Sequence, residues 1–375
     1  MTKTPNNNNN NLPPLKKMRI IKYDNFDDLL KDLVNKPNDN EVLDTNDLSS
    51  SSSSSSDEEE IKEYIEIKTS IQTLNDLINL GKQYDKTKRY NINMKKLYDL
   101  VEPLDKLKNM IGMHTVKQNI VNHILFYLQD LDNEFNDMLH TVIQGPPGVG
   151  KTELGRILGQ IYLKMGILKN STFKIVKRSD LIAKYLGQTA IKTQRVINSC
   201  KGGIMFIDEA YSLGNPEGRD SFSKECIDTL NQNLTEGRSN FLCIIAGYKH
   251  DLQKCFFNYN KGLDRRFSIR YTINGYNGNE LFLIFKKIIY SNNWFIEPTI
   301  TNHFFIKNID YFKFYGGDVE ILFFNCKITH ARRIFGLPKD VHKIINQNDI
   351  DKAFNIFKIN RMIEKNDESW KNLYI

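Results

Sequence analysis

Apolar positions between residues 138 and 273 alternate between two spacings, one typical of buried strands and one typical of amphipathic helices. Five short apolar or β-branched runs are separated by stretches of helical spacing: Met138–Gln144, Thr172–Val176, Gly203–Asp208, Phe241–Ala246 and Ser268–Ile273. A strand covered on both faces needs no polar alternation, so these runs predict an α/β fold whose parallel sheet has helices on both faces.

The flanking segments have a different pattern. Apolar side chains between residues 61 and 107 recur at helical spacing, as at Ile71, Leu74, Leu77 and Ile78. Strand signals fade after Tyr276, and four stretches look helical: Glu280–Tyr290, Thr299–Lys307, Val319–Phe335 and Ile350–Lys365. The predicted organisation is therefore a tail over 1–60, a helical linker over 61–106, an αβα domain over 107–275 and a small all-helical domain over 276–375.

Residues 1–60 have the composition of a disordered tail. They contain the asparagine run Asn6–Asn11 and the serine run Ser49–Ser56, followed by the acidic stretch Asp57–Glu60. Such tracts bury too little apolar surface to offset the entropy of ordering the chain. Only Ile20–Leu33 has a pattern compatible with a short local helix.

Charge and cysteine usage bear on the partners and the cellular compartment of the protein. The net charge of +7 fits an acidic partner or nucleic acid, and it fits lysine-rich solvated faces equally well. The cysteines form no C-x-x-C pair and no zinc-finger spacing, as free thiols of a reducing compartment do: Cys200, Cys226, Cys243, Cys255 and Cys326. No apolar run approaches the roughly 18 residues of a membrane span, and Met1–Asn11 lacks a secretory core. We therefore expect a soluble, intracellular protein without a membrane partner.

A glycine-rich loop between a predicted strand and a predicted helix is the strongest chemical signal. It reads Gly145-Pro146-Pro147-Gly148-Val149-Gly150-Lys151-Thr152 and fits G-x-x-x-x-G-K-[ST] in full. Glycines let the backbone fold closely around a triphosphate with its N–H groups pointing inward. Lys151 supplies positive charge to the β- and γ-phosphates, and the Thr152 hydroxyl is a ligand for Mg²⁺. The loop predicts binding of ATP with Mg²⁺.

Two adjacent carboxylates, Asp208 and Glu209, follow the apolar run Ile204–Ile207. Placing two charges at the end of a buried strand is costly, so the pair indicates a chemical role. Asp208 is placed to hold the Mg²⁺ hydration shell, and Glu209 is placed to orient and activate the attacking water. Together with the upstream loop, the pair predicts ATP hydrolysis.

From about Leu107 to Ile273 the sequence resembles the AAA+ ATPases, and closely the CbbX/CfxQ group with its red-type Rubisco activases and sporulation-protein-K-like proteins. Eight blocks in the same order carry the resemblance: Ile111–Met113, Gly145–Thr152, Arg178–Leu181, Tyr185–Thr193, Phe206–Tyr211, Ile227–Leu230, Ile244–Tyr248 and Gly262–Phe267. The asparagine-rich tail is similar to those of CfxQ-like proteins of giant DNA viruses.

The resemblance implies two further contact segments. Ile111 and Gly112 correspond to the adenine-side contact. Tyr185, Leu186 and Gly187 correspond to the aromatic–hydrophobic–glycine pore loop, which in the family grips an extended polypeptide inside a ring. An aromatic side chain on a glycine-bearing loop can hold many side chains without sequence readout. The alternative is a half-buried Tyr185 in a helix-capping segment.

The resemblance also implies an oligomer. Arg266 corresponds to the arginine finger, which stabilises charge on the transferring γ-phosphoryl group of a neighbouring subunit's nucleotide. Arg265 is a secondary candidate, or a solvated charge. The implied assembly is a ring, most often a hexamer, that acts on a protein client.

Two positions depart from the family pattern. The strand that usually ends in a sensor-1 asparagine ends here in Ala246-Gly247-Tyr248, which agrees with the CbbX group. The Tyr248 phenol has two possible positions: it contacts water or phosphate, or it packs under the sheet. Where the group carries Gly-Asn-Ala-Arg with a sensor-2 arginine, this chain has Gly316-Gly317-Asp318-Val319-Glu320. Arg332 and Arg333 follow further along and are either substitutes or ordinary helix residues.

The sequence therefore predicts a Mg²⁺-dependent ATPase, a ring-forming remodelling motor for a protein client whose identity it does not specify. A nucleic-acid-handling loader is the first alternative, but no helix-turn-helix, zinc module or aromatic-interleaved basic patch favours it. The second alternative is a slow, nucleotide-switched binding module. The intact Glu209 argues against the switch, whereas the missing sensor-2 arginine favours it.

Overall fold

The computed structural model describes residues 63–371 except residues 130, 132–138, 186, 216, 218, 237–240 and 339–341. The predicted tail over 1–60, the local helix over Ile20–Leu33 and the pore-loop residue Leu186 lie outside the described residues. All described residues belong to one contact unit, which spans residues 57–375.

The strands and helices alternate through the middle of the chain. The strands are β1 (Tyr64–Ile65), β2 (Arg89–Tyr90), β3 (Thr141–Gln144), β4 (Phe173–Val176), β5 (Ile204–Ile207), β6 (Leu242–Gly247), β7 (Ile269–Thr272), β8 (Phe295–Ile296) and β9 (Ile344–Ile345). The α-helices are α1 (Leu74–Lys82), α2 (Met94–Lys108), α3 (His114–Leu128), α4 (Lys151–Lys164), α5 (Arg178–Leu181), α6 (Thr189–Asn198), α7 (Ser221–Glu236), α8 (Lys249–Cys255), α9 (Lys261–Arg266), α10 (Gly278–Ser291), α11 (His303–Lys307), α12 (Gly316–Arg333) and α13 (Gln347–Lys371). Single 3₁₀ turns occupy Ala210–Leu213, Phe257–Tyr259 and Ile309–Tyr311.

The central sheet contains the five predicted strands, all parallel, in the order β4-β5-β6-β3-β7. The α/β fold predicted from the apolar runs is confirmed. β6 lies between β3 and β5, so the segments that follow these three strands meet at one edge of the sheet. In open parallel sheets, ligands bind outside this carboxyl edge.

Side chains of each strand alternate between two hydrophobic clusters, one on each face of the sheet. On β3, Val142 belongs to one cluster and Ile143 to the other, and both are fully buried. Helix α4 packs closely on the Ile143 face because Gly155 has no side chain: a Cβ there would lie 2.4 Å from the Phe206 ring. This close packing fixes α4, and with it the loop that precedes α4, against the sheet.

Two small sheets depart from the sequence prediction. In the segment interpreted as a helical linker, β1 pairs with β2 in parallel, with Tyr64 opposite Arg89. In the segment interpreted as all-helical, β8 pairs with β9 in parallel, with Phe295 opposite Ile344. Strands of two residues are too short to produce a periodicity, so the hydrophobic pattern does not reveal them.

The helices of both flanking segments share the hydrophobic cluster on the α4 face of the sheet. Leu77 and Leu97, from α1 and α2, are fully buried in this cluster, as are Phe285 and Leu322 from α10 and α12. α1 begins at a capping box in which Thr73 and Asp76 satisfy each other's backbone N–H groups. The flanking helices therefore pack on the sheet instead of standing apart from it.

All five cysteines are buried free thiols, as their spacing predicts. Among the residues that the structure describes, no helix has both the length and the apolar character needed to cross a membrane.

Candidate nucleotide-binding site

The glycine-rich loop Gly145–Thr152 connects the end of β3 to the start of α4. Gly148 and Gly150 have φ values of +71° and +85°, which residues with side chains rarely adopt. Gly150 directly precedes α4, and no side chain caps the first turn of this helix. The first backbone N–H groups of a helix have no intrahelical acceptor and carry partial positive charge, so this helix start suits an anion.

Lys151 lies at the centre of the loop. Its Nζ donates hydrogen bonds to the carbonyl oxygens of Gly145 at 3.0 Å and Pro146 at 2.8 Å. The same nitrogen lies 5.1 Å from the centroid of the Tyr248 ring. Burial lowers the pKa of Lys151, and the nearby carboxylates of Asp208 and Glu209 oppose this shift. These contacts place the ammonium group of Lys151 inside the loop.

The acids that follow β5 lie beside the start of α4. The Thr152 hydroxyl donates to Oδ2 of Asp208 at 3.3 Å, and the backbone N–H of Glu209 donates to Oδ1 of Asp208 at 3.1 Å. Glu209 has a φ of +50°, which is uncommon for a residue with a side chain and often marks a functional constraint. This backbone turn keeps Asp208 against Thr152 and leaves Glu209 exposed.

Tyr248 directly follows β6, and its ring lies beside the Lys151 ammonium group. The ring also stacks on the ring of Tyr211, with centroids 5.3 Å apart and planes at 22°. Tyr248 therefore adjoins the phosphate loop, and a contact of its hydroxyl with water or phosphate stays a prediction. Tyr211 has no role among the predictions from the sequence. Burial raises its pKa, and the negative charge of Glu209 adds to this shift.

Residues 110–113 form a tight turn on the other side of the loop. Gly112 and Met113 both have positive φ values, +68° and +59°. The methyl groups of Met110 and Met113 lie 3.3 and 3.6 Å from the position that a Cβ on Gly150 would take. Lys117 holds this turn by donating to the Met110 carbonyl at 2.5 Å, and burial lowers the pKa of Lys117 to about 8. The predicted adenine-side segment thus adjoins the phosphate loop.

Comparison with known proteins decides the family. The family model described as "ATPase family associated with various cellular activities (AAA)" matches residues 141–272. A cfxQ-like protein of Acanthamoeba polyphaga mimivirus is 42% identical over 303 residues, which cover 79% of this chain and 74% of that protein. The chain belongs to the CfxQ-like AAA ATPases.

Two further proteins are similar to shorter parts of this CfxQ-like AAA ATPase. The chloroplastic ribulose bisphosphate carboxylase/oxygenase activase of Cyanidioschyzon merolae is 30% identical, covering 61% of this chain and 76% of that protein. Stage V sporulation protein K of Bacillus subtilis is 33% identical, covering 51% of this chain and 61% of that protein. These matches confirm the resemblance drawn from the eight sequence blocks.

In this AAA ATPase the C-terminal segment touches the phosphate loop through one backbone bond and one side-chain bond. The Gly316 N–H donates to the Gly148 carbonyl at 3.1 Å, and the Tyr276 hydroxyl donates to the Val149 carbonyl at 2.9 Å. The Tyr276 ring meets the Tyr315 ring edge-on, with centroids 6.0 Å apart. The start of α12, where a sensor-2 arginine is expected, therefore adjoins the loop although it carries no arginine.

Arg333 is not a substitute for that arginine. Its guanidinium bonds both carboxylate oxygens of Asp349 at 2.9 Å and the Ile344 carbonyl at 3.0 Å. It lies 17 residues after Gly316 on α12, which is about 25 Å along a helix. Arg332 is exposed on the same end of the helix. Both residues are therefore too distant from the loop to contact a phosphate there.

The predicted pore-loop tyrosine is exposed, and the predicted arginine finger is half-buried. Tyr185 is 68% exposed, so the alternative of a half-buried tyrosine is wrong. Gly187, with a φ of +80°, would place a Cβ in open space. Arg266 donates from Nε to the Thr235 hydroxyl at 2.5 Å and from Nη1 to the Gly262 carbonyl at 2.6 Å. The neighbouring Arg265 is exposed.

Proposed function

We propose that this chain binds Mg·ATP, hydrolyses it, and uses the cycle to drive a ring-shaped remodelling motor that acts on a protein client. One observation carries the proposal. The Thr152 hydroxyl and the Asp208 carboxylate lie within 3.3 Å of each other, beside Lys151 and Glu209, at the carboxyl edge of the sheet. Membership of the CfxQ-like AAA ATPases supports it.

The side chains divide the work of phosphoryl transfer. Lys151 balances negative charge on the β- and γ-phosphates, and the backbone N–H groups at the start of α4 hold the phosphate oxygens. Thr152 and Asp208 provide oxygen donors, which Mg²⁺ prefers, and Mg²⁺ supplies charge neutralisation when bound with ATP. Glu209, exposed beside Asp208, orients the attacking water and accepts its proton. Tyr248 lies next to Lys151, where its hydroxyl can contact the phosphate or the water.

Two elements outside the nucleotide site support the assignment as a motor. Arg266 is half-buried at the end of α9, where it bonds Thr235 and Gly262, and contact with a neighbouring subunit's nucleotide requires the guanidinium to exchange these partners. Tyr185, on a loop with Gly187, presents an aromatic ring to solvent and suits contact with a polypeptide of varied sequence. The activase and sporulation relatives act in different settings, and no residue in this chain specifies either client. The proposed client is therefore a protein segment in extended form.

ATPase measurements on the full chain test this proposal. We expect turnover that requires Mg²⁺ and rises when an unfolded protein is added. Stimulation by DNA alone would identify a nucleic-acid-handling ATPase instead. Tight ATP binding with negligible turnover in every condition would identify a nucleotide-switched binding module.

Replacement of the proposed water-activating residue tests the mechanism. Glu209→Gln should bind ATP, lose turnover and hold the assembled ring, because the amide cannot accept a proton from water. The exposed Glu217, eight residues further on, provides the control Glu217→Gln, which should hydrolyse ATP normally. Normal hydrolysis by Glu209→Gln would refute the assignment of Glu209. A pull-down with the trapped Glu209→Gln ring then identifies the client.

A further inference from the structure

The segment Phe314–Gly317, a turn that runs into the first two residues of α12, packs directly on the phosphate loop. A Cβ on Gly148 would lie 2.1 Å from the Phe314 carbonyl oxygen and 3.1 Å from the Gly317 nitrogen. The Gly316 N–H donates to the Gly148 carbonyl at 3.1 Å. Since Gly148 has no side chain, the backbone of the turn is in direct contact with the backbone of the loop. A movement of the turn therefore changes the packing around Gly148.

Asp318, the first residue after this turn, is completely buried. Its Oδ2 accepts a hydrogen bond from the Phe314 N–H at 2.7 Å, so the carboxylate ties the end of the turn to its beginning. Its Oδ1 accepts a hydrogen bond from the guanidinium of Arg361 on α13. A buried carboxylate is tolerated only when it is paired and hydrogen-bonded, and both conditions are met here.

Arg361 also contacts the aromatic ring of Phe314, the first residue of the turn. The guanidinium lies 4.7 Å from the centroid of the Phe314 ring and 5.5 Å from that of Phe357. The turn itself is strained, because Tyr315 has a φ of +44°. Strained backbone persists only where the surroundings hold it in place. Asp318 and Arg361 hold both ends of this segment.

We propose that Asp318 is a positioning residue for the phosphate loop: paired with Arg361, it holds the turn Phe314–Gly317 against Gly148. The pair then transmits the position of α12 and α13 to the nucleotide by backbone contact, without a sensor-2 arginine. The inference rests on the proposed nucleotide binding and adds to it the residues through which the C-terminal helices control it.

A second buried pair on the same helix provides a matched control. Asp349 is 1% exposed and bonds Arg333, and it lies near the opposite end of α12 from the phosphate loop. Both pairs join a buried aspartate to an arginine between α12 and the α13 segment. A general loss of stability therefore affects both, whereas a loss of loop positioning affects only the Asp318 pair.

The experiment compares Asp318→Asn, Arg361→Gln and Asp349→Asn in the full chain, by thermal unfolding and by titration with a fluorescent ATP analogue. The asparagine at 318 still accepts from Phe314 but no longer neutralises Arg361. We expect all three variants to unfold at lower temperature. At a temperature where all are folded, Asp318→Asn and Arg361→Gln should bind the analogue about tenfold more weakly, and Asp349→Asn should bind it like the wild type.

The double variant Asp318→Asn/Arg361→Gln should bind the analogue no more weakly than either single variant, since the two residues act as one pair. Unchanged affinity in Asp318→Asn, or equal weakening in Asp349→Asn, would overturn the proposal. If Asp318→Asn does not fold, Arg361→Gln makes the same comparison with Asp349→Asn, because it removes the same ion pair from the other side. A wild-type chain that does not bind the analogue would overturn this inference together with the proposed function.

Discussion

The contact between the phosphate loop and the turn before α12 can be tested by adding a single methyl group. Gly148→Ala places a Cβ 2.1 Å from the Phe314 carbonyl oxygen, whereas ordinary contacts begin near 3.4 Å. The turn must therefore move away from the loop by roughly 1 Å, or the loop must move into the space intended for phosphate. Either movement changes the site that we propose for ATP.

The free-energy cost has two parts. A non-glycine residue at a φ of +71° costs about 1–2 kcal/mol of backbone strain. The steric overlap with Phe314 adds about 1–3 kcal/mol, the usual range for an overpacked contact. Gly148→Ala should therefore lower the free energy of unfolding by roughly 2–5 kcal/mol.

Gly166 separates the two parts. It follows α4 with a φ of +82°, and a Cβ there would meet nothing within 4 Å. Gly166→Ala should therefore lower the free energy of unfolding by the strain alone, about 1–2 kcal/mol. Its affinity for ATP should equal that of the wild type, because Gly166 lies at the far end of α4 from the loop.

Urea unfolding and titration with a fluorescent ATP analogue give both quantities for the two variants. We expect the affinity of Gly148→Ala to fall about tenfold or more, since the misplaced loop loses part of its phosphate contacts. Equal unfolding free energies and equal affinities in the two variants would show that the turn does not press on the loop, and the reasoning would fail.

Three further predictions concern separate parts of the molecule. Arg266→Ala should lower kcat about 10³-fold or more with little change in KM, and Arg265→Ala should lower it far less; equal losses in steady-state assays would reject the finger assignment. Tyr185→Ala should keep basal ATPase activity and lose stimulation by an unfolded protein, and stimulation equal to that of the wild type would refute the pore-loop assignment. Burial lowers the pKa of His140 to about 4, below its value of about 6.5 in the unfolded chain, so protonation favours unfolding. The free energy of unfolding should fall as the pH drops from 6.5 towards 4, by about 2 kcal/mol at pH 5, and urea titrations should show a smaller fall in His140→Gln.

The parts of the fold that the sequence predicts correctly are those whose cause is local. The run Ile204–Ile207 is apolar because both of its faces are covered, and Gly148 and Gly150 are glycines because the loop needs positive φ values. Such requirements determine the type of residue at the position concerned. The central strands, the phosphate loop and the acids after β5 are therefore visible in the sequence without a structure.

The parts that the sequence does not reveal depend on partners far apart along the chain. Tyr211 is recognisable only when β6 brings Tyr248 against it, although its place two residues after Glu209 was a usable signal. β1 and β2 are strands only because they pair with each other, and they are too far apart along the chain for a local periodicity to reveal the pairing.

The start of α12 shows why a missing family residue need not mean a missing coupling. Judged by residue type, Gly316-Gly317-Asp318 lacks the sensor-2 arginine and favours a weakly coupled switch. In the fold, Gly316 allows backbone contact with Gly148, and Asp318 bonds Arg361, which lies 43 residues later in the chain. Because the coupling that we propose depends on packed backbone and one buried ion pair instead of a long side chain, it should respond to movement of the whole C-terminal segment. The absent arginine is therefore weak evidence for a nucleotide switch, and the turnover of the wild-type chain is the stronger test.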